Sequence, residues 1–88
     1  LTRFHAHQGK LVGSMFLMEI MELREKIEEI SGEAELKALQ SNNLLRMEEL
    51  GEELASAFDN HKLEEALRLT AMLQYYYRVD ETVREKMH

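Results

Sequence analysis

The sequence predicts an all-α fold, organised as an antiparallel three-helix bundle. The composition supports a helical fold, because Pro is absent, Gly is scarce and good helix formers such as Leu, Glu, Ala, Met and Lys dominate. Apolar residues also recur at steps of three and four in three successive runs. Since each short turn between runs reverses the chain, the first and third helices are expected to be roughly parallel.

The first predicted helix runs from about residue 15 to Ile30. Ser14 is a candidate N-cap, and Ser31-Gly32 is a stop signal because Gly readily adopts the left-handed conformation that follows a helix. One narrow stripe of this helix has the a/d spacing of a bundle core. That stripe consists of Phe16, Ile20, Leu23, Ile27 and Ile30.

The second helix is predicted from Glu33 to Phe58 and the third from His61 to Lys86, with Asp59-Asn60 as the turn. Gly51 in the second helix indicates either a close packing contact or a slight bend. The core stripe of the second helix is Leu36, Leu39, Asn43, Met47, Leu50, Leu54 and Phe58. That of the third helix is Ala66, Leu69, Leu73, Tyr76, Val83 and Met87, with the charged Asp80 as the one residue that does not fit.

Two helices carry more large apolar residues than one core stripe needs. On the first helix, Leu17, Met18 and Met21 lie more than about 100° from the centre of the stripe. On the third helix, a second line contains Met72, Tyr75 and Val79. An apolar patch with an acidic rim is typical of a protein-docking surface. The rim is expected to be Glu22, Glu25, Glu28 and Glu29. The pattern fits either a different protein or a second copy of the chain.

Charge and composition exclude several classes of function. The chain has 88 residues, 11 basic and 17 acidic, and a net charge of −6, so it would repel nucleic acids and favour a basic protein partner. Without cysteine it has no disulfide, zinc finger or thiolate cluster ligand, and no cofactor is expected. No stretch approaches the roughly 18 apolar residues of a membrane span.

Residues 1–14 differ from the remainder and are expected to be a linker, an upstream remnant or a vector-derived segment; residues 15–88 form the domain. His5 and His7 in this segment make an H-x-H pair, which is more simply a chance pair than a metal site. No catalytic motif is present, and a bundle of this size is expected to have no cleft, so the chain is not expected to be an enzyme.

Two stretches resemble a known family. Residues 16–25, Phe-Leu-Met-Glu-Ile-Met-Glu-Leu-Arg-Glu, are similar to the opening of the C-terminal helical domain of HscB/Jac-type J-protein co-chaperones, which serve iron–sulfur cluster assembly. Residues 57–66, followed by Leu-Gln-Tyr-Tyr at 73–76, are similar to the helix end, turn and last helix of the same domain. The resemblance covers roughly residues 15–87.

The resemblance implies a module that binds an IscU-type iron–sulfur scaffold protein, in the mitochondrial matrix or the bacterial cytoplasm. It also implies a DnaK-type chaperone as partner, recruited through a J domain. That J domain carries a His-Pro-Asp motif, and because this chain has no Pro we expect it to lack the J domain. The family's scaffold contacts correspond to apolar Leu17, Met18 and Met21, acidic Glu22, Glu25 and Glu29, and aromatic Tyr75.

Overall fold

Three long helices and one short helical segment make up the part of the chain that the structure, a computed structural model, describes: residues 9–87. The long helices are α1 (Ser14–Glu29), α2 (Glu33–Asp59) and α3 (Leu63–Met87), and residues 9–12 are also helical. Residues 9–87 contain no strand. The all-α class is therefore confirmed, and each predicted end of a long helix lies within two residues of the observed one.

Helices α2 and α3 form an antiparallel hairpin with the most extensive packing in the described structure. The chain reverses at His61, whose φ of 56° lies in the left-handed region. The Lys62 amide donates to the Ala57 carbonyl at 2.8 Å, which holds the two ends of the turn together. Further along, the side-chain amide of Asn43 donates to the Tyr76 carbonyl at 3.2 Å and links the two helices. The hairpin is the framework on which α1 packs.

Helix α1 lies beside α3 and runs in the same direction. Near its start, the Phe16 ring packs edge-on against the rings of Tyr75 and Tyr76, with centroids 5.8 and 5.7 Å apart. Near its end, the Lys86 ammonium donates to the carbonyls of Ile27 and Glu28. A lysine suits this position because the last carbonyls of a helix are unpaired and partly negative. Helix α1 contacts α2 much less, so the long helices are not evenly packed.

Helix α3 is the central helix, and this corrects part of the predicted core. Met72 and Val79, predicted to lie on a spare stripe, are only 7% and 0% exposed. The reason is that α3 packs against both α1 and α2, so it needs an apolar face wide enough for two neighbours. Phe58, predicted in the core, is 55% exposed at the end of α2, and Ala57 is buried there. Asp80 is buried, with its carboxylate 3.0 Å from the Arg84 guanidinium.

The short segment at residues 9–12 also contributes to the core, through buried Val12. Gly13 separates this segment from α1 with a φ of 83°, a conformation that favours glycine. Gly13 is the N-cap of α1 and Ser14 is already helical, so the prediction that Ser14 caps the helix is wrong. The origin of residues 1–14 remains a prediction, and residues 1–8 lie outside the described part of the chain.

Replacing Gly51 by alanine is expected to stabilise the domain. Apart from its chain neighbours and the nearby backbone of α2, no heavy atom of the described chain lies within 4 Å of the position that a Cβ on Gly51 would occupy, so this glycine makes no close packing contact there. Glycine in a helix interior costs about 1 kcal/mol relative to alanine, and we expect Gly51→Ala to raise the free energy of unfolding by about that amount. Urea unfolding followed by circular dichroism measures the change.

Gly13→Ala is the matched control for this prediction. The site is equally open, but its positive φ disfavours a side chain, so we expect a loss of about 1 kcal/mol. A decrease in the urea midpoint of Gly51→Ala would contradict the open geometry at that position.

Candidate protein-docking surface

The exposed apolar side chains of α1 are methionines. Met18 and Met21 are 61% and 59% exposed, and Met15, which the sequence pattern did not single out, is exposed beside them. Leu17 is half-buried and packs against the core. It is also close to the segment before α1, since a Cβ on Gly9 would stand 3.9 Å from its Cδ1. Methionine side chains are flexible and polarisable, which suits a surface that must adapt to a partner.

Three carboxylates border the methionines. Glu22 follows Met18 by four residues, Glu25 follows Met21 by four, and Glu29 continues the same row, so helical geometry places them next to the apolar patch. All three are exposed, and none forms an ion pair with another residue in the range 9–87. Their charge is therefore available to attract a basic partner. We call the surface formed by Leu17, Met18, Met21 and these three glutamates the α1 patch.

Tyr75 lies at the seam between α1 and α3. Its ring meets that of Phe16 at an angle of 76°, and the guanidinium carbon of Arg78 lies 4.8 Å from the ring centre. The ring is half-buried, so part of its surface remains accessible. The structure thus brings Tyr75 to the side of α3 that faces α1. The sequence analysis missed Arg78, although its spacing of three residues from Tyr75 is a signal that the two side chains can meet on a helix.

A groove of about 380 Å³ opens between α1 and α2, contrary to the prediction that a bundle of this size has no cleft. It exists because α1 rests mainly on α3 and leaves a gap beside α2. Leu23 and Leu39 contribute apolar lining, and Lys26 and Arg46 contribute positive charge. Burial lowers the pKa of Arg46, but hydrogen bonds to Tyr76 and Glu49 outweigh this effect and raise it above the usual value. Arg46 therefore keeps its charge.

Residues 9–87 contain no group of three or more His, Cys, Asp or Glu side chains arranged to hold a metal ion. Within the same range, no helix is long and apolar enough to cross a membrane. The H-x-H pair at His5 and His7 lies outside the described residues. The fold and its exposed methionine surface have the features of a small helical interaction domain.

The chain belongs to the family described as the HSCB C-terminal oligomerisation domain, whose model matches residues 12–84. Over 71 residues, or 81% of the chain, it is 32% identical to the human iron–sulfur cluster co-chaperone protein HscB and 27% identical to the mouse protein of that name. A homologue from Arabidopsis thaliana is 31% identical over the same length. The resemblance noted in the sequence is thereby confirmed.

The match is to one part of these relatives. It spans about 30% of the length of the human and mouse proteins and 28% of the plant protein. No solved structure matches the chain.

Proposed function

We propose that this chain is the scaffold-binding domain of an iron–sulfur cluster assembly co-chaperone, and that the α1 patch binds an IscU-type scaffold protein. The observation that carries the proposal is the exposure of Met18 and Met21 on one helix, beside carboxylates that form no ion pair within residues 9–87. Membership of the HSCB C-terminal family supports it. Isothermal titration calorimetry of the chain with a scaffold protein tests the proposal, and we expect a one-to-one complex. Absence of binding at micromolar concentrations contradicts it.

Each part of the surface has a distinct role in this proposal. Met18 and Met21 supply most of the affinity, because burying apolar surface yields about 25 cal/mol per Å². Leu17 contributes its remaining exposed surface, and Tyr75 extends the contact onto α3. Glu22, Glu25 and Glu29 orient a basic scaffold surface and speed its encounter with the domain. The three long helices act as an antiparallel bundle that holds this surface rigid.

The remainder of the proposal concerns the longer protein. In a chain of the relatives' length, a J domain would recruit a DnaK-type chaperone, while the domain described above would hold the scaffold. This chain itself performs no catalysis and needs no cofactor in that role. We place the protein in the mitochondrial matrix, in keeping with three relatives from eukaryotes; the bacterial cytoplasm is the alternative.

Association with the scaffold is expected to slow as the salt concentration rises. Exposed charges steer encounter over roughly 10 Å, and salt screens them. Dissociation depends mainly on the buried apolar contact, so the dissociation rate should change less. Stopped-flow measurements across a range of ionic strength give both rates.

The variant Glu22→Gln, Glu25→Gln is the control for the salt experiment, since it keeps the shape of the patch and removes two charges. We expect a slower association and a shallower salt dependence for this variant. An association rate that is independent of salt in the unmodified chain would remove the role assigned to the glutamates.

Self-association without a scaffold partner is the second candidate function, favoured by the description of the family as an oligomerisation domain. The α1 patch is poorly suited to bind its own copy, because the glutamates of both copies would meet and repel each other. Sedimentation measurements distinguish scaffold binding from self-association. If the chain binds a scaffold protein and remains monomeric at every concentration, self-association is excluded as its function. If the chain does self-associate, another surface must provide the contact.

A further inference from the structure

The groove between α1 and α2 has the size and lining of a small ligand site. Its volume of about 380 Å³ lies within the roughly 300–1,000 Å³ of typical ligand pockets. At about 30 Å³ for each molecule of liquid water, this space holds roughly a dozen non-hydrogen atoms. Ile30 and Leu39 are buried at the groove, and Leu23 and Tyr76 are half-buried beside them. The groove therefore suits a ligand with an apolar group of modest size.

The groove is positively charged in a chain that is otherwise acidic. Lys26 and Arg46 line it together with one carboxylate, that of Glu35, whereas the whole chain has a net charge of −6. Lys26 forms no ion pair with another residue in the range 9–87. Arg46 lies 3.2 Å from Glu49 and 4.0 Å from Glu53, but neither acid lines the groove. Since a guanidinium has five N–H donors, Arg46 has donors left for an anionic ligand.

The two cations converge on the middle of the groove. Each Cα–Cβ bond of a helix tilts toward the N-terminus of that helix. Because α1 and α2 are antiparallel, Lys26 and Arg46 tilt toward each other, with Asn42 between their levels. Glu35 tilts the other way, toward the turn that joins the two helices. An anionic group between Lys26 and Arg46 is thus kept apart from the carboxylate of Glu35.

We propose that this groove binds the C-terminal residue of a partner peptide that ends in an apolar side chain and a free carboxylate. The carboxylate lies between Lys26 and Arg46, where charge-assisted hydrogen bonds hold it. The side chain packs on the apolar lining, which consists of Leu23, Ile30 and Leu39.

A peptide end fits the groove better than a free fatty acid does. The groove is open to solvent along one side, so a long acyl chain in it would keep much of its apolar surface in water. The remainder of a peptide is polar and continues into solvent without this cost. Asn42, exposed at the groove, offers a side-chain amide that both donates to and accepts from a peptide backbone.

This site is separate from the α1 patch. At 100° for each residue, Leu23 is about 140° around the helix from Met18, so the groove and the patch occupy different sides of α1. The two surfaces also differ in charge, because glutamates border the patch and cations line the groove. The domain is thus able to hold a basic protein surface and an anionic chain end at the same time. The inference goes beyond scaffold binding and does not depend on it.

Nuclear magnetic resonance titration of the nitrogen-15-labelled chain with N-acetyl-leucine tests the site. This compound carries the leucine side chain, one peptide group and a free carboxylate. We expect saturable shifts of the amide signals of Leu23, Leu39 and Asn42, with a dissociation constant in the millimolar range for so small a ligand. The signals of Met18 and Met21 should not move. Absence of saturation, or shifts confined to the α1 patch, would overturn the proposal.

Three related compounds separate the parts of the ligand. N-acetyl-leucinamide has a neutral amide in place of the carboxylate, and N-acetylglycine lacks the apolar side chain. We expect both to bind about tenfold more weakly than N-acetyl-leucine, because one loses a charge-assisted contact and the other loses apolar burial. The third compound, 4-methylpentanoate, keeps the carboxylate and the apolar chain without the peptide group and should also bind more weakly. Equal affinity of the amide, or tighter binding of 4-methylpentanoate, would refute recognition of a peptide end.

Two variants place the ligand in the groove. Arg46→Gln removes one of the two cations, and we expect it to weaken N-acetyl-leucine binding about tenfold. Ala38→Phe fills the groove from an exposed position and should abolish binding. Arg68→Gln is the matched control, because the Arg68 side chain is 42% exposed, against 41% for Arg46, and also pairs with a glutamate, but lies outside the groove. Equal losses in Arg46→Gln and Arg68→Gln would show unspecific attraction and contradict the site.

Calorimetry with a scaffold protein separates this proposal from the proposed function. Ala38→Phe lies outside the α1 patch, so it should bind a scaffold like the unmodified chain, which also shows that the variant is folded. If the unmodified chain binds a scaffold but not N-acetyl-leucine, the groove site is refuted and the α1 patch is not.

Discussion

Substituting alanine for both Met18 and Met21 is expected to weaken scaffold binding by about a hundredfold. Each substitution removes a flexible side chain that is about 60% exposed in the free domain and would be buried in the complex. Each substitution removes about two methylene equivalents of buried surface, which costs about 1.5 kcal/mol of binding free energy. The two together cost about 3 kcal/mol, and because every 1.4 kcal/mol changes the dissociation constant tenfold, the loss is about a hundredfold. Calorimetric titration with an IscU-type scaffold measures the loss.

The fold of this double variant should be unchanged, because neither methionine supports the core. Alanine at both Leu17 and Met21 would test the α1 patch less clearly, because Leu17 packs against the core and its truncation would also lower the stability of the domain. The matched control is Leu44→Ala with Leu67→Ala, two similarly exposed residues of α2 and α3. Equal affinity loss in both double variants, or none in the first, would refute the assignment of the α1 patch.

Val79→Asp is expected to unfold the domain. Val79 is fully buried between the helices, and an aspartate there would be an unpaired charge in the core, costing more than about 4 kcal/mol. A domain of this size rarely has more than roughly 5 kcal/mol of stability in total. We therefore expect the far-ultraviolet circular dichroism of the variant to lose most of its helical signal at 25 °C.

Met21→Asp is the informative comparison for Val79→Asp. The sequence pattern treats the two residues alike, as members of spare stripes on the first and third helices, whereas the structure exposes one and buries the other. Met21→Asp should retain its helical signal and lose scaffold affinity. A folded Val79→Asp variant would show that α3 is not the central helix.

The helices and their limits follow largely from local chemistry. The first helix ends just before Ser31-Gly32, as predicted, but Gly32 has a φ of −86° and is the extended N-cap of α2, so the predicted left-handed conformation is wrong. The second helix ends at Asp59, with Asn60 as its C-cap, and both residue types favour turns. The exposure of Met18 and Met21 was predictable for a similar reason: on a helix packed along one stripe, residues on the far side face solvent. These features depend on spacing along one helix and on nothing beyond it.

Features that depend on neighbouring helices were not predictable in this way. Met72 and Val79 are buried because α3 has two neighbours, and a single helical pattern does not show how many neighbours a helix will have. Phe58 continues the core spacing of α2 but extends past the end of the packed layer, where only the smaller Ala57 is covered. The contact of Arg78 with the Tyr75 ring and the groove beside Arg46 likewise depend on how the helices are placed.

For this protein, spacing along the chain was enough to define the all-α class, the extent of three helices and the exposed methionines of the first. The family resemblance, too, was visible in the residues themselves. The central position of α3 and the gap between α1 and α2 emerged only from the assembled molecule. Periodicity reports which residues share a side of one helix, but burial depends on what packs against that side.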